Sequence, residues 1–293
     1  MSSAPAVRAP LSDSELEKLL HKPAAWQRRD VLRSVGIAIL STILVVAVFS
    51  WYLAQSAGWE SVRQAFFSWP DFKAAFPKVW EGFKLNVKIF MIAEPIVLAF
   101  GLLLAMMRLS KSPMLFPLRA ISTLYVDLFR GAPALLVIFM LGFGVPGLRI
   151  ESLPSSPIFW GTVACILTSA AYTAETFRAG IESVHPSQRA AARSLGLSNA
   201  QAFMHVVLPQ GVKAVIPPLL SGFVALQKET SLVSAIGPLE ATRQAQIYAG
   251  VNFNYTSYLV AALLFIAITV PLARLTDYML SRSARLRAVG GDV

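Results

Sequence analysis

Residues 188–210 read QRAAARSLGLSNAQAFMHVVLPQ, a polar, helix-prone island set between two strongly apolar segments. Ala191 and Ala192 belong to a run of good helix formers, and Gly196 follows as the left-handed stop that glycine adopts at little cost. Ser198 restarts the helix, with Gln201 three residues on to complete a capping box. Leu208 and Pro209 are expected to end this second helix, because proline lacks a donor and clashes one turn back. The island therefore reads as helix, tight turn, helix, stop.

What surrounds the island is a membrane protein. The chain has 293 residues, 55% hydrophobic and only 14% charged, with a mean hydropathy of +0.59. Soluble domains carry about 25% charged residues. Lys and Arg number 26 against 16 Asp and Glu, a net charge of +10. In an apolar chain that excess marks cytoplasmic loops rather than nucleic-acid binding. Cys165 is the single cysteine and lies in an apolar run, so no internal disulfide forms and the thiol reads as a small buried hydrophobe. There is no P-loop, no HExxH and no paired-cysteine metal spacing, so neither ATP hydrolysis nor a metal site is expected in this chain.

Six spans are expected in an all-α fold. Residues 1–33 form a polar cytoplasmic tail, with Ser12 or Asp13 opening a short helix through Leu20. Val35–Leu53 is the first span, closed by the interfacial pair Trp51 and Tyr52. The aromatic, proline-containing stretch from Gln55 to Trp80 is too polar to cross and is expected to lie at the outer membrane surface. Further spans are Phe83–Met107, interrupted at Glu94-Pro95, then Pro117–Val145, Ile158–Thr176, Val212–Ala235 and Ser257–Leu280, with 237–255 partly re-entrant or peripheral on the outer side. Lys18, Lys22, Arg28, Arg29, Arg33, Arg108, Lys111, Arg119, Arg178, Arg189, Arg193, Lys213, Arg282, Arg285 and Arg287 then fall inside. Outside fall only Arg63, Lys73, Lys78, Lys84, Arg149 and Arg243. The bias predicts a cytoplasmic island and two cytoplasmic termini.

With that orientation, several strings come into register with one family. Ala190-Ala191-Ala192, Gly196, Val206 and Leu208-Pro209 match the spacing of a cytoplasmic loop with Glu-Ala-Ala, Gly, Ile and Leu-Pro. Phe129-Arg130-Gly131-Ala132-Pro133, Tyr172 through Ile181 (YTAETFRAGI), Lys228-Glu229-Thr230-Ser231-Leu232 and Thr242-Arg243-Gln244-Ala245-Gln246 follow at fixed order. The chain resembles the permease subunits of binding-protein-dependent ABC importers, in the polar amino acid subgroup. Two positions depart from the loop pattern: Val206 stands for Ile, and Ala190 stands for the carboxylate that the family presents there.

The resemblance implies a type I ABC importer permease fold, a five-helix core plus an N-terminal helix. The expected domains are a cytoplasmic tail at 1–33 and an extra helix with its outer-surface segment at 34–81. A permease domain follows at 82–280, its coupling loop at 182–211, and then a basic cytoplasmic tail at 281–293. It also implies two separate ATP-binding subunits carrying ATP and magnesium, a second permease subunit of the same or similar kind, and a periplasmic or lipid-anchored solute-binding protein. The cargo is then a polar amino acid, the location a bacterial inner membrane, and this chain catalyses no covalent step and holds no cofactor.

The ATPase-coupling residues of the loop are expected to be Ala190, Ala191, Ala192, Arg193, Gly196, Leu197, Phe203, Leu208 and Pro209, with Leu195, Leu197, Ala202, Phe203 and Val206 as the apolar knob that fits a groove in the partner. Intramembrane charge costs at least ~2.5 kcal/mol, so ionisable residues there face a cavity or pair within the bundle. Asp127 with Arg130, and Glu175 with Arg178, are each three apart and read as structural ion pairs. Lys228, Glu229, Thr230 and Ser231 offer both charges and hydroxyls to a zwitterion and are the leading path candidates, with Glu94 and Gln244 behind them. The competing reading is an ion-gradient-driven secondary transporter, which predicts inverted repeats and leaves the island without a purpose. A membrane enzyme needs a clustered catalytic set, whereas His21, His185 and His205 are scattered.

Overall fold

The computed structural model describes residues 24–56, 58–110 and 112–289. The expected helix at 12–20 lies outside them. The chain divides into two compact units, Met1–Val62 and Arg63–Val293. In the first, α1 spans Ala24–Ala54, and from residue 33 on its described apolar side chains are exposed all round, among them Ile37, Leu40 and Phe49, as in a lipid-facing helix. A short helix, α2, covers Trp59–Phe66.

The second unit is a helical bundle built on α3, Trp69–Leu109. Ser68 caps it and Pro70 stands in its first turn, where a missing N–H costs nothing. The helix then runs for 41 residues through Pro77 and Pro95. The aromatics expected to lie flat are thus the N-terminal part of a long helix, and the expected boundary at 81/82 falls inside it. Their three- and four-residue spacing explains this, since Trp69, Phe72, Phe76, Trp80 and Phe83 stack successively at 5.3–6.3 Å along one face. Nor does Glu94-Pro95 interrupt the span.

The expected third span is likewise corrected. α4, Phe116–Gly131, stops at Ala132, which is extended as a residue before proline must be. The chain turns by 103° into α5, Ala134–Phe139, continued by a π turn over Met140–Gly144 and a short helix at Val145–Gly147. α4 is tied to its neighbours by Ser122 Oγ donating to the Leu104 carbonyl (2.8 Å) and Tyr125 Oη donating to that of Leu167 (2.8 Å).

The remaining elements are α6 (Pro157–Glu182), α7 (Pro186–Ser194), α8 (Asn199–Ala202), α9 (Leu208–Glu229), α10 (Ala241–Asn252) and α11 (Thr256–Val289). Among the described residues, five helices are long and apolar enough to cross a membrane, and a sixth crossing is made if the bent pair counts as one. The most extensive pairing is α3 with α6, and α6 packs next on α9. Ile89, Phe90, Val97, Ile138, Cys165, Leu226, Val233 and Ile236 form the largest buried cluster between them.

At the end away from the 188–210 island the bundle is closed by a buried polar network. Asn86 Nδ2 donates to Thr230 Oγ1 (3.2 Å) and Glu240 Oε2 (2.9 Å), and Asn86 Oδ1 accepts from the Ala241 N–H (3.1 Å). Glu240 caps α10 by accepting from the N–H groups of Thr242 (3.0 Å) and Arg243 (2.8 Å). Burial pushes its carboxyl above the usual carboxylate range, against the opposite pull of these donors. Gln227 Oε1 accepts from Thr269 Oγ1 (3.0 Å), tying α9 to α11. Leucine at Asn86 is expected to destabilise the bundle by about 1–3 kcal/mol for each partner left unsatisfied. Ser231→Ala, whose hydroxyl only returns to the Lys228 carbonyl, should stay within about 0.5 kcal/mol. Thermal unfolding of the purified chain compares the two.

Candidate functional site

α6 and α9 run into the polar island from either side, and their crossing is its base. A Cβ on Gly180 would overlap the Val215 side chain, and one on Gly211 would lie 2.8 Å from Ile181 Cα. The two backbones approach this closely because neither position carries a side chain.

The island then follows its own chemistry. Pro186 opens α7 and His185 Nδ1 accepts from the Ser187 N–H (3.2 Å). After Ser194 the chain turns at Gly196, φ +89°, with Gly196 N–H on the Arg193 carbonyl (3.0 Å) and Leu197 N–H on that of Ala192 (3.3 Å). This bond pair is the Schellman stop. Arg193 Nη1 closes the turn by donating to the Leu197 carbonyl (2.8 Å). Ser198 accepts from the Gln201 N–H (3.2 Å) while Gln201 Oε1 accepts from the Ser198 N–H (2.8 Å), a complete capping box.

Leu208-Pro209 does not stop the chain. α8 passes through a π turn at Phe203–Val207 directly into α9, with Pro209 in the first turn of α9. The missing Pro209 N–H is absorbed by the wider turn, as proline permits at a helix start. Ala192, Ala202 and Val207 are buried, Leu197 and Phe203 are half-buried, and Ala190, Ala191, Arg193 and Leu195 face outward.

Above the loop, Glu175 gathers cations from three helices. It accepts from Arg178 one turn on and from Arg108 Nη1 at the end of α3 (2.8 Å), while Arg130 Nη1 of α4 lies 3.7 Å away. Arg178 also donates to Glu182 Oε2 (2.5 Å). Arg130 thus reaches α6 rather than its own-helix neighbour Asp127, which is exposed and has no ion pair among the described residues. Arg108 was legible only as an end-of-span charge, and its role needed the three-dimensional packing.

The other candidates do not form one cluster. Lys228 is exposed at the end of α9, and Glu229 Oε2 accepts from Ser169 Oγ of α6 (3.2 Å). Thr230 is fully buried in the Asn86 network, and Ser231 Oγ donates to the Lys228 carbonyl (2.7 Å). Glu94 is buried in α3, and Gln244 is half-buried in α10. Among the described residues no hydrogen bond or ion pair links either of them to 228–231. Three or more His, Cys, Asp or Glu side chains able to hold a metal do not come together among the described residues.

Residues 97–285 match the family described as binding-protein-dependent transport system inner membrane component, and the chain belongs to it. It is 34% identical over 212 residues to the probable amino-acid permease protein YxeN of Bacillus subtilis, covering 71% of this chain and 92% of that one. It is also 34% identical over 210 residues to that organism's probable glutamine ABC transporter permease protein GlnM, covering 71% and 94%. A solved structure titled as an amino acid ABC transporter with histidines superposes with a TM-score of 0.64 at 31% identity, over 70% of this chain and 94% of that one. The chain is a multi-pass membrane permease subunit of the ABC importer class.

Glu175→Gln is expected to lower stability by about 1–3 kcal/mol, because three guanidiniums lose their shared carboxylate. Asp127→Asn, with no partner to lose, should change it little. Thermal unfolding of both variants in the same detergent reads the contrast.

Proposed function

We propose that this chain forms half of the translocation path of an ATP-driven polar amino acid importer, and that residues 182–211 couple it to separate ATP-binding subunits. The observation that carries the reading is the loop itself. Two short capped helices joined at Gly196 stand on the Gly180–Gly211 crossing, so a push on the loop is delivered to α6 and α9 together. Exposed Ala190, Ala191 and Leu195 form the surface offered to the partner. Arg189 and Arg193 flank it with positive charge where a carboxylate at 190 is absent.

On this reading both termini are cytoplasmic, two permease chains face each other, and a loaded solute-binding protein docks on the outer side. ATP closure opens the path outward and hydrolysis returns it inward. ATP and magnesium sit on the partner subunits. Lys228 and Glu229 lie along the path, Lys228 exposed for the substrate carboxylate and Glu229 held by Ser169 for the ammonium. The relatives named for amino-acid and glutamine transport support the substrate class.

Gly196→Pro is expected to abolish binding-protein-dependent uptake and to release the ATP-binding subunits during purification, while the chain stays in the membrane. Uptake that survives this change in a folded chain would overturn the coupling role. Lys228→Ala is expected to reduce uptake at least ten-fold and leave subunit assembly intact.

A further inference from the structure

The island carries charge that the rest of the chain does not balance. From residue 183 to residue 227 there is no Asp or Glu, but there are three fixed cations, Arg189, Arg193 and Lys213. The carboxylates just before this stretch are already engaged: Glu182 accepts from Arg178 (2.5 Å), and Glu175 accepts from Arg178 and Arg108. Among the described residues none of the three island cations has an ion-pair partner.

α7 sets two of these cations on the surface that the loop offers. Arg189 and Arg193 stand four apart and so share one side of the helix. The bond from Arg193 Nη1 to the Leu197 carbonyl (2.8 Å) fixes that guanidinium at the Gly196 turn, close in sequence to Leu195, whose side chain is 82% exposed. Between the two arginines lie Ala190 and Ala191, both exposed and both small, so a partner's surface can approach the helix closely there.

Seating this loop in a groove strips water from the guanidiniums. A charge taken out of water without a counter-charge is strongly unfavourable. Guanidiniums recover that cost best against carboxylates, which they meet bidentately. The loop has no carboxylate of its own, so the receiving surface must supply it.

We propose that the ATP-binding subunit receiving this loop lines the rim of its groove with Asp or Glu side chains opposite Arg189 and Arg193, so that permease and motor select each other by charge. This rests on the coupling role given to residues 182–211 and adds the chemistry of the partner. Anionic lipid headgroups also attract arginines, but they need no small-residue face between the two cations, whereas a groove does.

Full-length permease is purified in detergent, and its cognate ATP-binding subunit is titrated onto it at low and at high NaCl. The wild-type affinity is expected to fall by about ten-fold or more between the two. Arg189→Glu should weaken binding at low salt by a similar factor. Ala190→Glu, which adds negative charge at an exposed helical position, should weaken it as well, whereas a basic rim would bind that variant more tightly. Lysine in place of the rim carboxylates of the ATP-binding subunit should restore binding to the Arg189→Glu permease and weaken binding to the wild type. Binding that ignores salt and is unchanged or strengthened by both permease substitutions would overturn the acidic rim and leave the coupling role in place. Substitutions that lower only the binding of phosphatidylglycerol vesicles, with the affinity for the subunit unchanged, would overturn it in favour of lipid. No binding of the wild-type permease at either salt would remove the coupling reading itself, and the rim with it.

Discussion

The crossing of α6 and α9 at Gly180 and Gly211 is the constraint from which the loop-side half of the bundle follows. Helices in lipid gain nothing from burying apolar surface against one another, so close contact must come from packing itself, and small residues permit it. Here both contact points lack a side chain, and Val215 and Ile181 fill the space a Cβ would take. A cavity above the crossing is bounded by the same two helices. The loop below it begins where α6 ends and finishes where α9 begins.

Polar chemistry then fixes what the glycine contact leaves free. Towards the loop, Glu175 holds the ends of α3 and α4 against α6 through arginines from each. At the opposite end, Asn86 joins α3 to the segment between α9 and α10, and Glu240 orders the first turn of α10. Both clusters include α3, the longest helix of the bundle, so α3 acts as the common support against which α6 and α9 are positioned. Buried polar groups of this kind hold a single arrangement when each finds a partner.

Much of this was legible in the residues. The all-α class followed from composition and the long apolar runs, and the island's turn and capping box followed from Gly196, Ser198 and Gln201, because these are local signals whose partners lie within a few residues. Where proline had to be interpreted, locality misled. Pro77 and Pro95 sit within an unbroken helix, and Pro209 starts one, whereas Pro133 bends the chain through the residue before it. Proline has the same covalent chemistry at each site, and the outcome depends on whether neighbouring turns supply or need the missing donor. Arg108, Asn86 and the Gly180–Gly211 pair depend on residues tens of positions away. Asn86, flanked by Lys84 and Lys88, gave no sign in the sequence of its partners Thr230 and Glu240.

The two π turns, Met140–Gly144 and Phe203–Val207, bear on how this chain tolerates changes of length. A π turn is an α-helix carrying one surplus residue. Losing a single residue there lets the turn revert to α geometry with the flanking helices in their original rotational register. A deletion anywhere else in α3, α6 or α9 would rotate everything beyond it by about 100°. These two short segments are therefore places where homologous chains can differ by one residue and still present the same faces.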